Sequence, residues 1–448
     1  MPRPHLPPFT GTVVGASLMT TLGTLPVFLL SSQSVFVREE LGFDEVRFGI
    51  AVSVFFGSAA LAALLGGGLT DRMGRRRSTI LAGAIAAVGG LGVALLAHSW
   101  VVLLGLLVLL GMANAACQVT ANLTMARVIP AHRRGLGFGI KQSAIPISIM
   151  LAGLAVPTLG AFGWWRWTFA ATGVGGLLVL LSGLRLPRTV EGPVAAGAER
   201  DRPPMRALVI TLLAITLASA AANSLGSFLA SWGFHVGLTP SEAGVLMAVG
   251  SGANLVLRVL LGHRADGRHG RNLPGVALQM VIGGLALGVL AIESPATVVL
   301  AGFVAFALGW SWPGLLLYAV VRVGRDAPGA ASGMVQGGAF IGGATGPALF
   351  GAVVGWVGYQ AAWGIAGVLF VAAGALILAA RKVFLADLVN RPPVRQISYG
   401  GGRGRPAHVT APHTLVPTPA EAVPDAPPDA PRPDPDGTAG AATRPRGD

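Results

Sequence analysis

A dozen apolar runs, each close to the roughly 20 residues that cross a bilayer once, constrain this chain more than any other feature. They fall near residues 12–36, 47–69, 78–97, 101–125, 137–160 and 165–185, and again near 206–234, 240–262, 273–292, 296–321, 331–355 and 360–383. Hydrocarbon offers no water to an unpaired peptide group, so runs of this length must be helices. Composition agrees: 53% of residues are apolar and 11% charged, against roughly 25% charged in a soluble domain. The expected fold is all-α and integral to a membrane, with twelve transmembrane helices.

The formal charge of +13 does not point to nucleic acid, because the basic residues sit in short clusters between apolar runs and build no continuous basic face. Alternate loops carry them. Arg72, Arg75, Arg76, Arg77, Arg127, Arg133, Arg134, Arg185, Arg188, Arg200, Arg202, Arg206, Arg264, Arg268, Arg271, Arg322 and Arg325 fall on one side, and only Arg38, Arg47 and Arg166 on the other. The positive-inside rule then puts both termini in the cytoplasm, in a cell inner membrane. The single cysteine, Cys117, lies in an apolar run and carries no redox signal.

Residues 186–205 interrupt the apolar pattern with a polar stretch, and from residue 387 the sequence turns to proline, arginine, aspartate and glycine. The expected organisation is therefore an N-terminal six-helix half (1–185), a cytoplasmic linker (186–205), a C-terminal six-helix half (206–386) and a tail (387–448) too poor in large apolar residues to fold.

The halves repeat one another. GGLTDRMGRRR follows the second run and GHRADGRHGR the eighth, with Asp71 and Asp266 at 195 positions' separation. GFGIKQ recurs as ASGMVQ, so Gly139 pairs with Gly333 and Gln142 with Gln336, 194 apart, and Gly163 with Gly358, 195 apart. The loop after the second helix reads Gly67, Asp71, Arg72, Gly74, Arg75, Arg76. With the linker and the second, degenerate copy around Asp266, this motif resembles the signature of the major facilitator superfamily over residues 12–383. That resemblance implies two parallel six-helix repeats, a substrate site at their interface, and a motif that governs the change between inward-open and outward-open states. The run GFGIKQSAIPISIMLAGLAVP, with GWSWPG and SGMVQGGAFIGGATGP, is similar to bacterial members grouped near cyanate and nitroimidazole transporters.

Polar side chains are costly in a bilayer, so their spacing should mark the solute path. Asn114, Gln118 and Asn122 repeat every four residues on the fourth helix, as do Ser219, Asn223 and Ser227 on the seventh; Ser31, Gln33 and Ser34 lie on the first, and Trp310, Trp312 and Tyr318 on the tenth. Two cations stand inside helices. Lys141, one of two lysines in an arginine-based chain, lies on the fifth helix, and Arg258 lies on the eighth, four residues after Asn254. Glu39, Glu40, Asp44, Glu45 and Glu242 fall near the outer helix ends, so no carboxylate is expected within a helix interior. A positive field without acids suits a small organic anion such as a carboxylate. Export of hydrophobic drugs or metabolites is the alternative, weakened because cation antiport usually needs an embedded carboxylate.

The expected site comprises Lys141, Arg258, Gln142, Asn254, Asn114, Gln118, Asn223, Gln336, Trp310 and Trp312. No phosphate-binding loop, zinc-ligand cluster or nucleophile elbow is present in the sequence. The expectation is a monomeric transporter rather than an enzyme, without metal or other cofactor. Its partners would be the lipid bilayer, a small-molecule substrate and, as candidate coupling ion, the proton.

Overall fold

The computed structural model describes residues 8–128, 134–186, 204–265, 272–323 and 328–391, with two short strands at 397–398 and 408–409. Within these, the side chains of 8–9, 65–72, 126–128, 134–136, 138, 321–323 and 328–332 are not described. Twelve helices among the described residues are long and apolar enough to cross a membrane. In chain order the spans are Thr10–Ser32, Glu45–Leu64, Met73–Leu96, Trp100–Met125, Gly139–Phe162 and Trp165–Leu184, then Met205–His235, Pro240–Ala265, Asn272–Val289, Pro295–Val320, Gly333–Val357 and Tyr359–Asn390. They are called spans one to twelve below.

Apolar side chains cover the outside as well as the core. Leu64, Leu300, Trp356 and Val368 are more than two-thirds exposed, while Phe48, Phe55, Trp165, Trp232 and Trp363 are fully buried. A protein apolar on both surfaces has lipid as its natural solvent.

Backbone glycines mark the repeat a second time. Gly163 and Gly358, matched in the sequence, both take positive φ (77° and 98°) at the turns before spans six and twelve. Gly42 and Gly237, also 195 positions apart, do the same (65° and 101°) between spans one and two and spans seven and eight. The same left-handed turn therefore closes equivalent hairpins in each half.

Between spans two and three, Gly74 adopts φ 71°, ψ 172° inside an otherwise continuous helical stretch, Glu45–Leu96. Few residues other than glycine reach that region. The last span runs to Asn390 with Phe384 and Leu388 buried, so the helix passes the expected boundary at 386 by one turn. Apart from the two strands, the tail after Arg391 lies outside the described residues, as does the linker from 187 to 203.

Helices approach closely where side chains are small. An added Cβ at Gly153 of span five would meet the Gly244 carbonyl of span eight at 2.4 Å, and one at Gly49 of span two would meet the Pro347 carbonyl of span eleven at 2.4 Å. Both contacts join the halves. Without a hydrophobic drive in lipid, such backbone proximity supplies the van der Waals attraction.

Candidate functional site at the seam between the halves

Neither internal cation reaches for the lipid surface. Lys141 and Arg258 retain 2% and 7% of their exposure. The Lys141 ammonium donates to Gln118 Oε1 at 2.7 Å and Asn122 Oδ1 at 2.8 Å on span four. Their four-residue spacing places both amides on one helix face. Asn114, one turn further on, packs against Gly23 of span one, and its buried Oδ1 has no partner.

Span five is broken beside Lys141, ending one helical segment at Gln142 and resuming at Ala144. The chemistry of the break lies four residues on. Position 146 is proline, so the Gln142 carbonyl has no N–H to accept from. Arg258 of span eight supplies the donor across the seam, Nη1 to Gln142 O at 2.6 Å. Its other amino group, Nη2, donates to Trp310 O at 2.7 Å. Span ten is also broken there, between a π-helical turn, Ala305–Gly309, and the segment Trp312–Val323, with Pro313 at the restart. Arg258 Nε is buried without a partner.

Asn254, one turn before Arg258, donates to the carbonyls of Phe306 (2.7 Å) and Ala307 (3.2 Å), holding the π-turn open, and its Oδ1 is unpaired. Trp310 stacks on Phe306 with centroids 5.8 Å apart and meets Phe28 of span one edge-on at 6.0 Å. Its ring lies over Gly226 of span seven. Trp312 is buried with its indole N–H unpaired. A cavity of about 300 Å³ opens between spans five, eight and ten, with Ser143, Arg258, His263, Ser311 and Tyr318 on its walls.

The remaining expected residues divide. Asn223 turns back onto its own helix, donating to Ser219 O (2.8 Å) and Oγ (3.0 Å), while Ser219 Oγ donates to Ala339 O of span eleven. The Gln142 side chain is buried at the seam, and Gln336 is half-buried on span eleven. Ser31, Gln33 and Ser34 lie at the end of span one remote from the N-terminus. Gln33 donates to Thr168 of span six at 2.8 Å, and Ser34 Oγ lies 2.9 Å from Ser231 Oγ of span seven, joining the halves at the arginine-poor side.

Of the loop motif, Arg76 donates to the Leu184 carbonyl at the end of span six (3.4 Å), and the Arg75 carbonyl accepts from Thr79. The side chains of residues 65–72, which include Gly67, Asp71 and Arg72, are not described, and Asp266 lies outside the described residues. No group of three or more His, Cys, Asp or Glu side chains that could hold a metal ion occurs among the described residues.

Twelve spans in two repeats around a polar, proline-broken seam are matched by sequence as well as shape: residues 9–334 and 211–418 fit the Major Facilitator Superfamily. The chain belongs to that superfamily. Its twelve described helices long enough to cross a membrane fit a multi-pass membrane protein of that superfamily. Similar relatives include the Bacillus subtilis protein YwtG, assigned by its name to metabolite transport, at 30% identity over 36% of this chain and 35% of the relative. A D-xylose transporter of Levilactobacillus brevis is 28% identical over 38% of this chain and 37% of its own length. The facilitated glucose transporter member 12 of solute carrier family 2 from Macaca fascicularis is 30% identical over 34% and 24%. These matches span about a third or less of each relative. A bacterial homologue of the human lysosomal transporter Spinster, crystallised inward-facing and unoccupied, shares the fold with a TM-score of 0.63 at 18% identity, over 85% of this chain and 98% of that one.

Two features of the seam escape the sequence pattern. Pro146 is one, although its spacing four residues after Gln142 is the signal that finds it. Phe28, an apolar residue within an apolar run, carries no sequence signal at all.

Proposed function

We propose that this transporter carries a small organic anion, with carboxylates the leading class, by alternating access about the seam between its halves. One observation carries the reading. Two buried basic side chains, Lys141 from the first half and Arg258 from the second, have only amide and carbonyl oxygens as partners among the described residues. Neutral acceptors are weaker than a carboxylate, so an anion entering the seam gains charge-assisted hydrogen bonds that the resting protein lacks. Gln118, Asn254 and the unpaired Arg258 Nε stand beside them as further polar contacts. Gln142, Asn114, Asn223, Gln336, Trp310 and Trp312 are proposed to line the rest of the path.

The arginine asymmetry supports cytoplasmic termini in a plasma membrane, with the cavity of spans five, eight and ten towards the cytoplasmic side. Asp71, with Gly67, Arg72, Gly74, Arg75, Arg76 and Asp266, is proposed to act on the equilibrium between the two access states.

A second reading, a neutral sugar, rests on the amide face of span four beside Trp310 and on the printed specificity of the xylose and glucose relatives. Amides pair with hydroxyls and an aromatic face stacks on a sugar ring. Ligand-induced thermal stabilisation of the purified protein separates the two. The anion reading predicts stabilisation by small carboxylates and none by pentoses or hexoses; the reverse pattern replaces it with the sugar reading. Stabilisation by lipophilic cations alone would favour drug export.

A further inference from the structure

We infer that Pro146 is a positioning residue for transport: by withholding its N–H it delivers the Gln142 carbonyl to Arg258, and the resulting clamp holds the two halves together on the arginine-rich side. Three facts converge on it. Span five breaks at Ser143, leaving Gln142 at the end of one helical segment. The residue that would close the hydrogen bond to that carbonyl in a continuous helix is proline. The donor that replaces it comes from the opposite half, at 2.6 Å, from a guanidinium whose other arm holds a second broken-helix carbonyl, that of Trp310, at 2.7 Å.

A carbonyl at a helical C-terminus also carries the negative end of the helix dipole, which suits a cation. One planar side chain thus spans the break in span five and the break in span ten, and only arginine offers two such donors in a fixed fork. Lysine would reach one carbonyl or the other. The clamp sits on the arginine-rich side of the Gly153 and Gly244 contact, at the wall of the cavity between spans five, eight and ten. Opening that side requires spans five and eight to separate, so the clamp must release in each cycle. The inference is independent of which solute is carried.

Pro146→Ala tests it and itself leaves Arg258, the amides and the residues lining the cavity of about 300 Å³ unsubstituted. The alanine supplies the missing N–H, so the Gln142 carbonyl gains an acceptor bond within its own helix and leaves the clamp. A reporter cysteine replaces Leu315, on span ten at the cavity wall, in a Cys117→Ser background, and its labelling by a water-soluble maleimide is timed on purified protein. Hydrogen bonds to charged groups are the strong class, so labelling in Pro146→Ala should be roughly three- to tenfold faster. Arg258→Gln should give an increase at least as large, and adding Pro146→Ala to it should bring no further gain, since the contact that Pro146→Ala removes, Arg258 to the Gln142 carbonyl, is already lost. Labelling of Pro146→Ala at the wild-type rate overturns the inference, and so does an undiminished effect of Pro146→Ala in the Arg258→Gln background.

Discussion

Lys141 and Arg258 differ in how their charge is met, and the difference sets what their loss should do. Lys141 is held entirely within the first half by Gln118 and Asn122, so Lys141→Gln leaves the seam intact while removing half of the positive field. Arg258→Gln removes charge and clamp together. Each variant is expected to weaken carboxylate binding by on the order of 2–5 kcal/mol, measured by ligand-induced stabilisation. Only Arg258→Gln should also alter access to the cavity. Unchanged anion affinity in both would reduce the pair to structural cations.

Glu40 gives a separate prediction at the same scale, outside the membrane-spanning segments. Partial burial pushes its carboxyl up, but hydrogen bonds from the Trp165 indole and from Arg166, with the charges of Arg166 and His98, outweigh burial and hold it below its ordinary 4.5. Arg166 also donates to the Ala97 carbonyl at 3.0 Å, tying three loops of the first half together. A carboxyl lowered by folding stabilises the protein fully above its ordinary value and loses that contribution as pH falls through the lower folded value. Melting temperature should therefore fall more steeply below pH 4.5 in the native protein than in Glu40→Gln, and parallel curves would contradict the assignment.

At the scale of elements, the decisive features are interruptions of helix. Gly74→Ala forces a side chain into a backbone region open almost only to glycine, and should cost on the order of 1–3 kcal/mol of stability in thermal unfolding. An unchanged melting temperature would show that the turn relaxes. Span twelve ends at Asn390 with Leu388 buried, so a chain ending at Arg391 should keep full transport and one ending at Leu385 should melt earlier. Equal melting of the two would remove Leu388 from the core.

Span number and repeat were legible in the sequence because bilayer thickness and a fixed residue offset are one-dimensional constraints. The polar stripe of span four was legible for the same reason, as a spacing of four. The partners were not. That Arg258 would bind the main-chain carbonyls of Gln142 and Trp310 depends on where spans five and ten break and how they dock. That Gln33 would pair with Thr168 and Ser34 with Ser231 depends on the break after Ser32.

For the molecule as a whole, the two sides of the membrane are held by different chemistry. On the arginine-poor side the halves meet through close backbone contact, Ser34 against Ser231 and the edge-on pair Phe48 and Phe228 at 5.2 Å. Towards the arginine-rich side they meet through a cation on broken-helix carbonyls. Neutral hydroxyl and dispersion contacts offer an anion no charge to compete for, whereas a guanidinium on neutral oxygens can be won over by a stronger acceptor. On the proposed function, the seam that an anion would loosen is the one beside the cavity. Counterflow in proteoliposomes tests this account most directly: vesicles loaded with an unlabelled small carboxylate should accumulate its labelled form transiently, and vesicles carrying Arg258→Gln should not. Counterflow of a pentose or hexose with none for any carboxylate, undiminished by Arg258→Gln, would contradict it.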